Sequence, residues 1–206
     1  MNQSKSSYHH GDLRSSLLAA ATAMITEGGI EALSMRKLAD RVGVSRTAPY
    51  HHFADKQELL SAIAETGFHH YEAGVNRLLA EQSDPGRQVS GFIEHYVNFA
   101  LEQPQAYNLM FGQSVWKSGE PSESLKTEAY RVFRQHVRTV ESWQAADVMP
   151  SNVDTLRLAQ ISWATLHGLS RLILDGIYVD RRNLGPLLRL AESMFRQSIE
   201  AAGEPD

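Results

Sequence analysis

The chain carries nine histidines, 20 arginines and lysines, and no cysteine. Adjacent pairs stand out among them, His51-His52 and His69-His70 inside the predicted helical part, a pattern that raises metal binding first. Neighbours on a helix project about 100° apart, and two ligands on one face need a spacing of three or four. Neither pair therefore closes on an ion by itself, and no His-Glu-x-x-His run is present. The absence of cysteine removes disulfides, thiolate metal sites and thiol nucleophiles together. Nor does the sequence hold a Gly-x-Ser-x-Gly elbow or a phosphate-cradling glycine loop. No metal, no cofactor and no catalytic set are expected. His167 stands alone, as a polar anchor in a buried cavity or as a hydrogen-bonded core histidine.

A second kind of chemistry is concentrated in "VSRTAPYHHFADK", residues 44–56. Arg46, Thr47, Tyr50, His51, His52 and Lys56 can all donate hydrogen bonds to phosphates or base edges. The net charge of −4 argues against a chain that binds polyanions over its whole surface. The charge is uneven, however: residues 1–60 hold seven basic against six acidic residues, and residues 61–206 hold 13 against 18. An anionic partner would meet the N-terminal part.

Helical spacing recurs along the chain and strand alternation does not. Leu13, Leu17, Leu18, Ala21, Met24 and Ile25 form a first stripe, closed by Gly28-Gly29. Met35, Leu38, Ala39 and Val42 form a second, with Ser34 as N-cap and Gly43 as stop. A shorter helix capped by Ser45 follows, with Pro49 at its fourth position. That placement removes only the first intrahelical bond, so the proline shortens and stiffens the helix without breaking it. The pair makes a helix-turn-helix pattern, which also occurs in ordinary helical proteins. Asp55 and Glu58 match a capping box opening a long fourth helix, which fades before Asp84-Pro85-Gly86. Lys56, a cation in its first turn, is disfavoured by the helix dipole, and a nearby phosphate would explain it.

A fifth helix is expected from about Gln88 to Glu102, and a sixth from Pro104 to Gly112. "GQSVWKSGEPSES" reads as a mobile loop carrying Trp116. A seventh helix carries Leu125, Ala129, Val132, Phe133, His136, Val137 and Val140. From Leu156 to Ile177 apolar residues point nearly all round, which requires burial on every side. Such a helix belongs either to a subunit interface or to the centre of a monomeric bundle. The interface is the expected outcome, shared with a last amphipathic helix from Leu184 to Ile199. Two apolar runs, Leu17–Ile25 and Leu158–Ser170, fit buried helices better than a signal peptide or a membrane span. A cytoplasmic, non-membrane protein is expected.

The segment "GIEALSMRKLADRVGVSRTAPYHHFADKQELLSAI" resembles the N-terminal domain of the TetR family of one-component transcriptional regulators. The likeness is carried by Ala39, the Val42-Gly43-Val44-Ser45 turn, Tyr50, His52-Phe53, Lys56 and Leu59-Leu60. The rest of the chain resembles the family in length, helical layout and dimer-like last helices. "WATLHGL", Trp163 to Leu169, is similar to the Trp-x-x-x-His-Gly pattern of one C-terminal subgroup.

The resemblance implies an all-α chain of about nine helices: an N-terminal arm over 1–11, a three-helix helix-turn-helix DNA-binding domain over 12–57, and a helical ligand-binding and dimerisation domain over 58–206. It implies that Arg46, Thr47 and Ala48 face base edges, that Tyr50, His51 and Lys56 hold phosphates, and that the Ser34–Met35–Arg36 helix start touches the backbone through N–H groups. Ser45 caps the reading helix. Lys5, His9, His10 and Arg14 would make an arm reaching the duplex, or a disordered tail. The family more commonly has a larger aliphatic residue where Pro49 stands. The implied partners are a near-palindromic double-stranded DNA operator, a second copy of the chain, and a small apolar or aromatic ligand. Tyr107, Phe111, Trp116, Phe133, Trp163 and His167 are the candidates to line its pocket, though at helical spacing most such aromatics are core. Ligand binding would tilt the long fourth helix, separate the reading helices and release DNA.

Overall fold

A computed structural model describes residues 10–117, 120–177 and 183–197, with the side chains of 10–12 left aside. The expected arm residues Lys5 and His9, the side chain of His10, and Ile199 lie outside the described residues. Among the described residues every regular element is helical. The α-helices are α1 (His10–Gly28), α2 (Met35–Val42), α3 (Lys56–Glu81), α4 (Pro85–Glu102), α5 (Pro104–Phe111), the single turn α6 (Gln113–Trp116), α7 (Glu123–Ala145), α8 (Thr155–Leu174) and α9 (Leu184–Arg196). Short 3-10 turns span Ile30–Ala32 and Ala48–His51.

The helix starts follow local chemistry. Ser34 Oγ accepts from Lys37 N–H (3.2 Å) and opens α2. Gly43, at φ 78°, ends it in the left-handed conformation that glycine adopts without strain. At the start of α3, Asp55 Oδ1 accepts from Glu58 N–H (2.8 Å), while the Glu58 carboxylate reaches back to Ala54 N–H (2.6 Å). Asp84-Pro85, read from sequence as a break, is instead the cap and first residue of α4, with Asp84 Oδ1 accepting from Arg87 N–H (3.0 Å). Proline at that position gives up only an N–H that no helix bond would use.

The chain forms two compact units. One comprises the residues up to Gly67 together with Gln105–Lys126. Its core gathers Leu17, Ala21 and Ile25 from α1, Leu38 and Ala39 from α2, Phe53, and Tyr107 and Met110 from α5. The stretch expected to be a mobile loop contributes here: α6 forms, Val115 is fully buried, and Trp116 Nε1–H donates to Met110 O (2.7 Å).

The other unit comprises Phe68–Pro104 and the residues from Thr127 onward. In it α8 and α9 both pack on α4. Tyr71, Phe92, Tyr96, Phe99, Phe133, His136 and Trp163 form one cluster of rings with edge-to-face and stacked contacts. Gly74 allows His95 to lie against α3, because a Cβ there would stand 2.1 Å from the imidazole. His95 Nε2 in turn pairs with the Tyr71 carbonyl (3.0 Å).

Only one side of α8 is covered. Leu158, Ala159, Ser162, Leu166, Ser170 and Ile173 are buried, while Ile161 is 64% exposed and Leu172 39%. On α9, Leu190 and Met194, one turn apart, are 58% and 59% exposed.

Candidate nucleic-acid interface

The N-terminal unit builds a small donor-rich surface from α2, the following turn and the 3-10 turn. Gly43 and Val44 both donate to Ala39 O (2.9 and 3.0 Å), which swings the chain out of α2 within three residues. Ala48 N–H then donates to Ser45 O (3.0 Å), and Ala48–His51 wind as a single 3-10 turn. The reading helix expected from sequence is therefore corrected: it is not α-helical and Ser45 does not cap it. Ser45 Oγ lies 3.1 Å from Thr47 Oγ1 instead. Pro49 is the physical reason. An α-helix starting at Ser45 would need a Pro49 N–H to reach Ser45 O, and proline has none. The tighter i→i+3 bonds Ala48 to Ser45 and Tyr50 to Thr47 take over.

Pro49 is itself buried, as is Phe53 two residues after the turn. Together they pin the turn to the core. Left on the outside are Arg36, Lys37, Arg46, Thr47, Tyr50 and His51, all exposed. Ser45 is exposed too, and Ser34, Ala48 and His52 are half-buried. The Met35 side chain is buried, so only its N–H, in the first turn of α2, is available outward. Arg41, also exposed, is held by both oxygens of Glu27 (2.6 Å each), which lock α2 to α1. That bond keeps the Glu27 carboxyl below its ordinary range.

Two residues assigned to DNA from sequence have partners inside the unit. Lys56 Nζ donates to Ile30 O (2.8 Å), closing the 3-10 turn Ile30–Ala32. A neutral carbonyl dipole of the chain, rather than an anion, is thus the acceptor that faces this cation in the first turn of α3. The Arg14 guanidinium lies 5.2 Å from the Phe53 ring centroid, on α1 rather than in a tail.

The six pocket candidates divide between the two units. Tyr107, Phe111 and Trp116 belong to the N-terminal unit, with Tyr107 and Phe111 in mutual contact at 5.0 Å. Phe133, Trp163 and His167 belong to the other. There a cavity of about 10 Å³ is lined by Tyr71, Glu72, Val75, Phe92, Val132, Gln135, His136 and Trp163. Of the six candidates only Trp163 touches it, and its most unusual wall, His136, was read from sequence as one more member of an apolar stripe. His167 is half-buried, and burial followed by the nearby Arg171 charge hold its pKa below the ordinary value. His69 Nδ1 stands 3.7 Å from Glu128.

The profile of bacterial regulatory proteins of the tetR family matches residues 17–63, which include this donor-rich surface. That of the tetracyclin repressor-like C-terminal domain matches residues 89–197, more than half of the chain. The chain belongs to the TetR family. FasR of Mycolicibacterium smegmatis, an HTH-type transcriptional activator, is 32% identical over 98 residues, 48% of this chain and 45% of FasR. The class A tetracycline repressor of Escherichia coli (transposon 1721) is 45% identical over 49 residues, 24% of this chain and 23% of the repressor. The matched regions span less than half the length of either relative. A solved structure of a Rhodococcus sp. RHA1 protein of unknown function superposes with a TM-score of 0.80 at 32% identity, over 93% of this chain and 97% of that one. Membership of the TetR family places the chain among regulators rather than enzymes, as the sequence led us to expect. Among the described residues no helix is long and apolar enough to cross a membrane.

Proposed function

We propose that this TetR-family chain is a ligand-responsive DNA-binding transcriptional regulator, a repressor that leaves a near-palindromic operator when a small molecule binds its C-terminal unit. The single observation that supports it most is the surface of Arg36, Lys37, Arg46, Thr47, Tyr50 and His51, six exposed donors on α2 and on the turn that follows it, with the apolar Pro49 and Phe53 buried behind them. Arg46, Thr47 and Ala48 read bases in the major groove. Tyr50, His51 and the α2 N-terminus at Ser34–Arg36 hold phosphates. Lys56 has one N–H on Ile30 O, which leaves two for a phosphate.

The regulator acts as a homodimer through α8 and α9. Ile161, Thr165, Gly168 and Leu172 recur at helical spacing on the open side of α8, and a Cβ at Gly168 would meet nothing within 4 Å. This open stripe on α8, together with the exposed Leu190 and Met194 of α9, suits an isologous contact with a second copy. Helix α3 is the element on which ligand and operator states converge: it begins at Lys56 and carries Tyr71, Glu72 and Val75 to the cavity wall. A nearly complete switch needs a ligand that prefers the DNA-free state by about 5.5 kcal/mol. A second reading, a DNA-binding dimer controlled by a protein partner or by abundance, draws on one observation: at about 10 Å³ the cavity has room for one water and no more.

Base-by-base substitution of the operator tests the reading surface. Arg46→Ala relaxes preference at one position by about 1–3 kcal/mol, whereas Tyr50→Phe weakens binding to all sequences alike. Unchanged base preference in the Arg46 variant would remove it from the reading set. Lys56 is a poorer probe, since its loss also breaks the bond to Ile30.

A further inference from the structure

The cavity of the C-terminal unit is lined by a histidine whose hydrogen bonding is unfinished. His136, on α7, is 3% exposed and lines the cavity. Its ring stacks on Phe92, 4.9 Å between centroids and 10° between planes, with Trp163 at 5.3 Å on a tilt. Its Nε2 lies 3.0 Å from Ser162 Oγ. The Ser162 hydroxyl has a single proton and gives it to Ala159 O (3.2 Å), so Ser162 accepts from His136 and the Nε2 atom carries the hydrogen. Nδ1 is then a bare lone pair, buried and without a hydrogen-bond partner. Burial keeps the ring neutral, lowering its pKa to about 4 against a smaller opposing pull from the Ala159 carbonyl.

A buried acceptor left without a donor has lost its water and gained nothing in return, so whatever supplies a donor there is bound preferentially. The walls restrict that donor's carrier. Phe92, Trp163 and Tyr71 are flat and aromatic, and Glu72 brings a carboxylate that is itself held by Arg131 (2.6 Å). An anion would meet Glu72 and offer Nδ1 no hydrogen.

We infer that this cavity is the sensing site for a small, neutral, aromatic molecule that gives one hydroxyl or N–H hydrogen bond to His136 Nδ1, and that carboxylate ligands are rejected. This rests on the reading of the C-terminal unit as the ligand-sensing part. Because the cavity admits only a water, the ligand enters by moving a ring, and half-buried Trp163 is the wall best placed to turn.

The test uses the full chain with 15N-labelled histidine and three probes of similar size: phenol, anisole and benzoate. Calorimetry gives affinities, and long-range proton–nitrogen correlation follows the unprotonated Nδ1 resonance, assigned by its loss in His136→Gln. Phenol shifts that resonance and binds roughly tenfold or more tighter than anisole, which lacks the donor, and benzoate binds weakest. His136→Phe keeps the ring stacked on Phe92 but carries no hydrogen-bond acceptor, and binds phenol and anisole alike. If that variant fails to fold, the wild-type resonance still decides. Anisole equal to phenol, benzoate the tightest, or phenol leaving Nδ1 unmoved because a water alone occupies the site would each overturn the inference. Operator release is read in the same samples. Phenol that binds Nδ1 without releasing DNA overturns the ligand-responsive function and leaves the site standing.

Discussion

Replacing Ile161 with arginine converts the dimer to monomers and lowers affinity for a two-half-site operator by about 10²–10⁴-fold, the factor lost when linked binding events become independent. Ile161 is 64% exposed on the open side of α8, so its replacement disturbs little within the folded chain. In an isologous interface each substitution appears twice, and two guanidinium groups face one another across an apolar seam. The expected wild-type mass in sedimentation is about twice the 23.0 kDa of one chain. The variant should run at one chain mass with an unchanged helical spectrum. A wild-type chain that already sediments as a monomer would show that α8 and α9 close no interface. Retained tight operator binding by a monomeric variant would show that the dimer is not what grips DNA.

The second large effect is a loss of stability in acid. His136 is neutral in the fold, with its pKa lowered by burial to about 4, while in the unfolded chain it titrates near its ordinary value of 6.5. Below pH 6.5 the unfolded state therefore binds a proton that the folded state does not. Unfolding becomes easier as pH falls from 6.5 toward 4, and the contribution is fully present above 6.5. A difference of this size amounts to about 3 kcal/mol, a large part of the stability of an ordinary domain. Urea denaturation at pH 7 and pH 4.5 measures it. His136→Phe keeps the stacking on Phe92 and removes the titrating group, so its stability should fall less over the same interval. Parallel losses in the two proteins would place the acid sensitivity elsewhere. His167, lowered in the same direction, adds a smaller part that both proteins share.

What the sequence made legible was the chemistry that acts within a few residues. Ser34, Gly43 and the Asp55–Glu58 pair each set a helix boundary by bonding to backbone three or four positions away, and all three boundaries stand where residue type put them. Pro49 and Asp84-Pro85 show the limit of the same reasoning. A proline inside the first turn and one at its first position look alike in a sequence, yet the first replaced the α-helix by a 3-10 turn and the second began a helix. Tertiary partners were less accessible still. Lys56 finds its acceptor 26 residues away at Ile30, and nothing in either segment announces the pair. Periodicity marked Tyr107, Phe111, Phe133 and Trp163 as inward without telling which of two units each would join. His136 did leave a trace: it is the one polar residue in the stripe of α7, between Phe133 and Val140. Its importance depends on Ser162 and Phe92, which lie on other helices.

Selection of genomic fragments by the purified full chain, followed by sequencing of what is retained, tests most directly that this protein is a sequence-reading regulator. The enriched fragments should share one near-palindromic site whose half-sites lie one helical turn, about 34–36 Å, or a multiple of it apart. Arg46→Ala should blur one position of each half-site. Retained DNA with no shared sequence, or none above the input, would contradict the reading surface of Arg46 to His51 on which the account rests.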